Sequence, residues 1–150
     1  MLFRSGRVCL YTALAAHLVV YLNGWVMETT PSTVPGTFNT VVPARLLDTR
    51  SGAPVAAASA LIMAVAGQGG VPSSGIDAVV LNVTVTEPAA SGYLVVFPCG
   101  QVPLASNLNF VKDQTVPNAV LAKVDGSGNV CFYSTTTTHL VVDVTGYIRS

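Results

Sequence analysis

The chain carries one of its segments twice. Residues 5–26 and 127–148 align without a gap at an offset of 122 residues and share ten identities. Internal repetition is the signature of tandem architectures built from one recurring structural unit, so it constrains the whole chain. The identities include less common residue types in register: Cys9 with Cys131, Tyr11 with Tyr133, His17 with His139, and Gly24 with Gly146. We therefore expect one complete module preceded by the closing segment of another.

The repeat divides the chain into three parts. We interpret residues 1–26 as the carboxyl-terminal remnant of a preceding repeat, residues 27–37 as a linker and residues 38–150 as the complete module. The linker sequence METTPSTVPGT is polar and is interrupted by proline and glycine, which favours an extended connection. A second interpretation of the first part stays open, because two arginines followed by an apolar run outline a secretory signal or a membrane anchor.

Short β-branched runs separated by Gly, Pro, Asn and Asp follow the linker, and this pattern is typical of an all-β fold. Residues 76–86 alternate apolar and polar side chains, as a half-buried strand requires. Further strands are predicted at residues 59–66, 93–97, 107–110, 119–124, 130–133 and 140–148. We also expect the turn EPAASG to join the strands at 76–86 and 93–97 as a hairpin. The predicted fold is an antiparallel β-sandwich or barrel-like module of Greek-key or jelly-roll type, with an extra amino-terminal strand pair.

The composition argues against several classes of partner. The 150 residues are 51% hydrophobic and 9% charged, and seven basic and seven acidic residues leave a net charge of zero. Nucleic-acid binding draws its affinity from clustered Lys and Arg, and the sequence has no such cluster. The same balance removes electrostatic attraction to anionic lipid. We expect a single main domain with no nucleic-acid partner and no membrane span in the main module.

The three cysteines predict one disulfide. They form no CxxC pair and lie outside the His spacing of zinc sites, so we expect no metal and no cofactor. Cys99 and Cys131 both belong to the complete module, and a disulfide between them would stabilise it by roughly 3 to 4 kcal/mol. The alternative is two buried free thiols. Cys9 is then the odd thiol, free or intermolecular. A disulfide points to an extracellular or cell-surface location.

Four motifs of the complete module occur in a specific order. They are VPARLLDTR at 42–50, AVVLNVTVTEPAASGYLVVFPCG at 78–100, SNLNFVKDQTVPNAV at 106–120 and VCFYSTTTTHLVVDVTGY at 130–147. Together they resemble a tandemly repeated, β-rich module of secreted actinobacterial proteins, which is sometimes attached to cell-wall hydrolases. The resemblance implies an extracellular location and modularity, and it brings no assigned activity. The amino-terminal copy departs from the pattern, with Tyr21 at the place of Asp143.

The charged residues Arg45, Asp48 and Arg50 are predicted to form a structural ion-pair network that anchors the first strand. Two alternatives are a catalytic carboxylate and an anionic wall polymer bound by the two arginines. Flanking arginines would lower the pKa of Asp48, which is the opposite of what a general acid needs. His139 and Asp143 lie about 13 Å apart along one strand, too far for a catalytic pair. Neither GxSxG nor HExxH occurs, so we expect no enzyme.

Exposed aromatic and amide side chains are the candidate glycan contacts, because amides hydrogen-bond sugar hydroxyls and aromatic rings form platforms for sugars. The candidates are Tyr93, Tyr133, Tyr147, Asn82, Asn107 and Asn109. Alternatively, the asparagines satisfy backbone groups at turns and edges.

The function predicted from these features is a non-enzymatic extracellular structural or adhesive repeat module. Its expected partners are neighbouring copies, which assemble through the duplicated terminal strands by strand addition or head to tail. The alternative is a carbohydrate-binding module for cell-wall glycan that accompanies a wall hydrolase.

Overall fold

Eight β-strands in two sheets make up the structure, a computed structural model that describes residues 10–15 and 36–150. The strands are β1 Phe38–Asp48, β2 Ser59–Ala64, β3 Ile76–Thr86, β4 Gly92–Phe97, β5 Leu108–Phe110, β6 Val116–Lys123, β7 Asn129–Ser134 and β8 His139–Arg149. One turn of 3₁₀ helix, Thr49–Ser51, follows β1. The all-β prediction is thereby confirmed, and β3 has the bounds predicted from its alternation.

The two sheets each contain four antiparallel strands. Sheet I has the order β1-β8-β3-β6 and sheet II the order β2-β7-β4-β5. This is the strand order of an eight-stranded jelly roll, a two-sheet sandwich rather than a closed barrel. Both β7 and β8 are central, since β7 lies between β2 and β4 and β8 lies between β1 and β3. The segment that the sequence repeats therefore supplies one inner strand to each sheet.

The main core lies between the two sheets. On β3, alternate residues from Val79 to Val85 are fully buried, while Asn82 and Thr84 point to the outer face. Phe132 on β7 and Leu94 on β4 face them from sheet II, also fully buried. Alternation of this kind leaves one apolar face on each sheet, and stacking the two faces removes both from water.

The hairpin predicted between β3 and β4 is wrong, because the two strands belong to different sheets. Their connection crosses the end of the sandwich and is held by other loops. The backbone N–H of Ala89 donates to the carbonyl of Thr137 at 2.9 Å, and Asp113 N–H donates to the Pro88 carbonyl at 2.9 Å. Periodicity reports which face of a strand is buried but carries no information about its neighbours, so it could not separate a hairpin from a crossover.

Two strand boundaries also differ from the prediction. β2 ends at Ala64, because the N–H groups of Val65 and Ala66 donate to the Gly128 carbonyl rather than to β7. β6 begins at Val116, three residues before the predicted start at 119, and includes Pro117. A proline lacks a donor and is tolerated here because β6 is an edge strand of sheet I.

The start and the end of the module lie side by side. The N–H of Gly36 donates to the Arg149 carbonyl at 2.8 Å, and Arg149 N–H donates to the Thr37 carbonyl at 3.2 Å. Residues 10–15 are exposed and form neither helix nor strand. The rest of the predicted amino-terminal strand pair, including Cys9, and most of the predicted linker lie outside the described residues. Nowhere in the described ranges is a helix long and apolar enough to cross a membrane.

Candidate functional site

A disulfide and a small apolar cluster cover part of the outer face of sheet II. Cys99 and Cys131 are bonded, with their Cα atoms 5.0 Å apart, at the pair of positions expected from the sequence. Cys131 pairs with Phe97 in the strand register, and both are buried together with Val95. We call Val95, Phe97, Cys131 and the disulfide the outer cluster. It is separate from the main core and fastens the chain that leaves β4 onto β7, an inner strand of the sheet.

Two of the three candidate tyrosines lie on this outer face. Tyr93 on β4 is directly opposite Asn109 on β5, and Tyr133 on β7 is opposite Val95. Alternate residues of a strand share a face, so Tyr93, Tyr133 and Asn109 are on the same side of sheet II. Tyr93 is 37% exposed, whereas Tyr133 packs partly buried against the outer cluster. We call these three residues the tyrosine face.

The other candidate glycan contacts lie elsewhere. Asn82 is on the outer face of sheet I, opposite Asp143. The side-chain oxygen of Asn107 accepts from Val96 N–H at 2.8 Å, and its main-chain carbonyl accepts from Asn118 Nδ2 at 2.6 Å. Asn107 thus links β4 to β6, the edge strand of the other sheet, and is engaged in the fold.

Tyr147 packs against the main core rather than pointing outward. The register between β3 and β8 shifts after Val144, so that Gly146 pairs with Val80 and Tyr147 with the fully buried Val79. One extra residue in a strand reverses the direction of every side chain that follows it. The sequence pattern alone did not reveal this bulge.

The ion pairs on the outer face of sheet I form a chain of four charged residues. Arg45 donates from Nε and Nη2 to the two carboxylate oxygens of Asp143, at 2.8 and 3.2 Å. Arg50 donates from Nε and Nη2 to the two oxygens of Asp48, at 2.9 and 2.6 Å. The contact between Arg45 Nη1 and Asp48, at 3.4 Å, joins the two pairs. We call these four residues the charge network.

Asp143 is the member of the charge network that sequence reasoning missed. It lies 98 residues from Arg45 along the chain and meets it because β1 and β8 are neighbours with Arg45 and Asp143 in register. The available signal was the pairing of a basic position on β1 with an acidic position on β8, which needs the sheet order to be known first.

The hydrogen bonds from the Arg50 side chain hold the pKa of the Asp48 carboxyl far below its usual range, and the Arg50 N–H and the charges of both arginines act in the same direction. The hydrogen bond to Asp143 raises the pKa of Arg45, and the hydrogen bond to Asp48 raises the pKa of Arg50. Asp48 also caps the 3₁₀ turn by accepting from Arg50 N–H. An acid that remains ionised cannot deliver a proton, and two cations paired with two anions leave no net charge for an anionic polymer.

His139 takes part in a hydrogen-bonded corner between β1 and β8. Its Nδ1 lies 2.9 Å from the Thr49 carbonyl oxygen, and since a carbonyl only accepts, Nδ1 is the donor there. The buried Thr49 hydroxyl accepts from Leu140 N–H at 2.9 Å. His139 is thus positioned by the backbone and not by Asp143.

A cavity of about 270 Å³ lies at the end of the sandwich where the loops before β3 and before β7 meet. Its polar lining includes Ser73, Ser74 and Asp125. The Asp125 side chain is already engaged, because its Oδ1 accepts from the N–H groups of Ser127 and Asn129, both at 2.8 Å. In the part of the chain that the structure describes, no three His, Cys, Asp or Glu side chains are grouped to hold a metal ion.

Neither a scan against models of known protein families nor a search of curated proteins found a match for this chain. The inference of function therefore depends on the geometry described above. Three features are available for it: the central strands β7 and β8, whose sequence occurs twice in the chain, the outer cluster with its disulfide, and the tyrosine face.

Proposed function

We propose that the chain is a non-enzymatic structural or adhesive module of an extracellular repeat protein, which associates with neighbouring copies of itself. The observation that carries this proposal is the position of the repeated segment. Residues 127–148 supply β7 and β8, one inner strand of each sheet, and residues 5–26 carry the same pattern a second time. A second copy of the sequence that forms two central strands is a means of joining one module to another, as in strand-addition assemblies.

Two further observations support the proposal. The disulfide fits an oxidising environment, because thiols in reducing compartments seldom remain paired. The charged side chains of the charge network bind one another, and among the described residues every buried side-chain nitrogen or oxygen has a hydrogen-bond partner. Polar groups that are fully engaged in the fold suit a rigid building unit better than an active site that must bind and release a substrate.

Association can be measured by light scattering after size exclusion across a concentration series. We expect the full chain to form dimers or larger species, and the variant Leu18→Asp/Val20→Asp to remain monomeric, because charge in place of these apolar side chains disfavours their burial against a neighbouring module. Tyr21→Asp is the matched control, since Asp143 occupies the equivalent position on the outer face. A full chain that is monomeric at every concentration would contradict self-association.

A second candidate function, carbohydrate binding, is favoured by the tyrosine face. Tyr93 is exposed and has the amide of Asn109 directly across from it, which combines a ring platform with a hydrogen-bonding group. The ligand class is a cell-wall glycan. Co-sedimentation with insoluble wall polysaccharide tests it: Tyr93→Ala should reduce binding at least tenfold, whereas Asn82→Ala on the opposite sheet should leave it unchanged. Equal binding by both variants would reject this surface.

A further inference from the structure

The place that β7 and β8 occupy can hold only one pair of strands. We call it the central slot: the position between β2 and β4 in sheet II and between β1 and β3 in sheet I. Both strands have hydrogen-bonded neighbours on either side along their length. A central slot left empty would expose the main core and divide both sheets. Any segment in the central slot must therefore cover the main core and pair with the neighbouring strands of both sheets.

Residues 5–26 retain the core-facing pattern of the strands that fill the slot. The fully buried apolar residues of β7 and β8 are Val130, Phe132, Leu140, Val142 and Val144. Their counterparts at the offset of 122 are Val8, Leu10, Leu18, Val20 and Leu22. Three of the five are identical and two exchange one apolar side chain for another, which cores of this kind tolerate.

The copy also retains residues that the slot requires for stereochemical reasons. A Cβ added to Gly146 would lie 2.6 Å from Cε2 of Phe38 and 2.8 Å from the Asn39 carbonyl, so no larger residue fits without a shift. The copy has Gly24 at this position, and Cys9 at the position of Cys131. A secretory signal or an anchor requires only a sufficiently apolar run, so it does not require a glycine at position 24 or a cysteine at position 9.

The resident segment keeps contacts that the copy would lack. Asp143 accepts two hydrogen bonds from Arg45, whereas the copy has Tyr21 there. The buried hydroxyl of Thr138 donates to the Thr86 carbonyl at 3.0 Å, whereas the copy has alanine at this position. Residues 127–148 therefore hold the slot in the unaltered chain, and residues 5–26 are the weaker competitor.

The connection to β1 is long enough for the copy to reach the slot of its own chain. Ile148 pairs with Phe38 at the start of β1, and Val26 is the counterpart of Ile148. With the copy in the slot, residues 27–37 would have to bridge two neighbouring strands about 5 Å apart. Eleven residues can span up to about 36 Å, so the linker would close this gap as a loop.

We propose that residues 5–26 are an alternative closing segment of the same sandwich, able to replace residues 127–148 in the central slot with Cys99 bonded to Cys9 instead of Cys131. The exchange needs no external oxidant. The Cys9 thiolate attacks the sulfur of Cys99, a Cys9–Cys99 bond forms as the Cys99–Cys131 bond breaks, and Cys131 leaves as the thiolate. This inference rests on the part of the proposed function that gives the duplicated strands a role in joining modules.

The test weakens the resident segment in the full chain and maps the disulfides. Gly146→Trp places a large side chain against Phe38, where the structure has no room for it. In a glutathione redox buffer, peptide mapping by mass spectrometry should find mainly Cys99–Cys131 in the wild type. In Gly146→Trp the ratio of Cys9–Cys99 to Cys99–Cys131 should rise at least tenfold, in a monomer that still unfolds cooperatively on heating.

Two additional variants separate exchange from simple unfolding. Gly24→Trp/Gly146→Trp excludes both segments from the slot and should lose cooperative unfolding. Adding Tyr21→Asp to Gly146→Trp restores a carboxylate opposite Arg45 and should raise the melting temperature above that of Gly146→Trp alone.

Three results would overturn the proposal: Cys99 still bonded to Cys131 in Gly146→Trp, Cys99 free, or Cys9–Cys99 bonds found only between two chains. If the full chain does not self-associate but Gly146→Trp still shows the shift from Cys99–Cys131 to Cys9–Cys99, the result contradicts the proposed function and supports the exchange.

Discussion

Removing the Cys99–Cys131 disulfide should lower the free energy of unfolding by roughly 4 kcal/mol. The bond closes a loop between residues that are 32 positions apart, and on the chain-entropy model a cross-link of this length restricts the unfolded chain by about that amount. The loop contains β5, β6 and the crossovers on both sides of them, so it spans both sheets. For a small domain with a total stability of about 5 to 15 kcal/mol, this is a large share.

The variant for this measurement is Cys99→Ala/Cys131→Ala in a Cys9→Ala background, compared with Cys9→Ala alone. Alanine is preferred to serine because Cys131 is buried in the outer cluster, where an unpaired hydroxyl would add a penalty of its own. Guanidinium unfolding should show a lower midpoint and a steeper dependence on denaturant, since an unfolded chain without the cross-link exposes more surface.

A loss of less than about 1 kcal/mol would refute this reasoning. It would mean that the loop remains ordered without the bond, held by the packing of Val95 and Phe97 in the outer cluster. Reduction of the unaltered disulfide with dithiothreitol provides an independent measurement, and it should give the same shift in midpoint as the double substitution.

Three further predictions concern the core, the corner at His139 and the charge network. Phe132→Ala removes a fully buried ring and should destabilise the fold by about 3 to 5 kcal/mol, whereas Ile62→Ala, at a side chain 67% exposed, should change stability little by chemical denaturation. Thr49→Val leaves the Leu140 N–H without its acceptor and should lower stability by about 1 to 3 kcal/mol, with Thr49→Ser as the control that keeps the hydroxyl. The depressed pKa of Asp48 stabilises the folded state above the carboxyl's ordinary pKa of 3.8, and this contribution should fade as the pH falls below that value. Asp48→Asn should therefore remove part of the decline in melting temperature on acidification, whereas parallel declines in both proteins would contradict it.

Seven of the eight strands were predicted from the sequence by their β-branched runs and alternation, whereas β1 was not among them. β3 is the clearest case, with buried residues at every second position from Val79 to Val85. Sheet membership was not predictable, since a jelly roll sends most successive strands to opposite sheets and the pattern of one strand does not name its partner. The predicted hairpin between β3 and β4 was wrong for this reason.

The site residues were likewise predictable where their contacts are local in the sequence, and not where strand register determines the contact. Arg45, Asp48 and Arg50 lie within six positions of one another and were recognised as a cluster, whereas the fourth member, Asp143, became a partner only through strand register. Tyr147 was expected on the surface, and a one-residue bulge in β8 turns it toward the core. Such shifts depend on hydrogen bonding between strands, which leaves no mark in a hydrophobic pattern.

The adjacent ends of the module determine how it would respond to tension in a longer polypeptide. Because β1 and β8 run antiparallel with their free ends together, a pull on both ends loads the pairs one after another, starting at Phe38 and Ile148. This is an unzipping geometry, which resists force far less than strands sheared along their length. Unravelling from the carboxyl end would stop at Cys131, where the disulfide shields residues 99–131 from extension. Under tension the module would therefore begin to unfold at low force. Its extension would exclude the residues that the disulfide encloses.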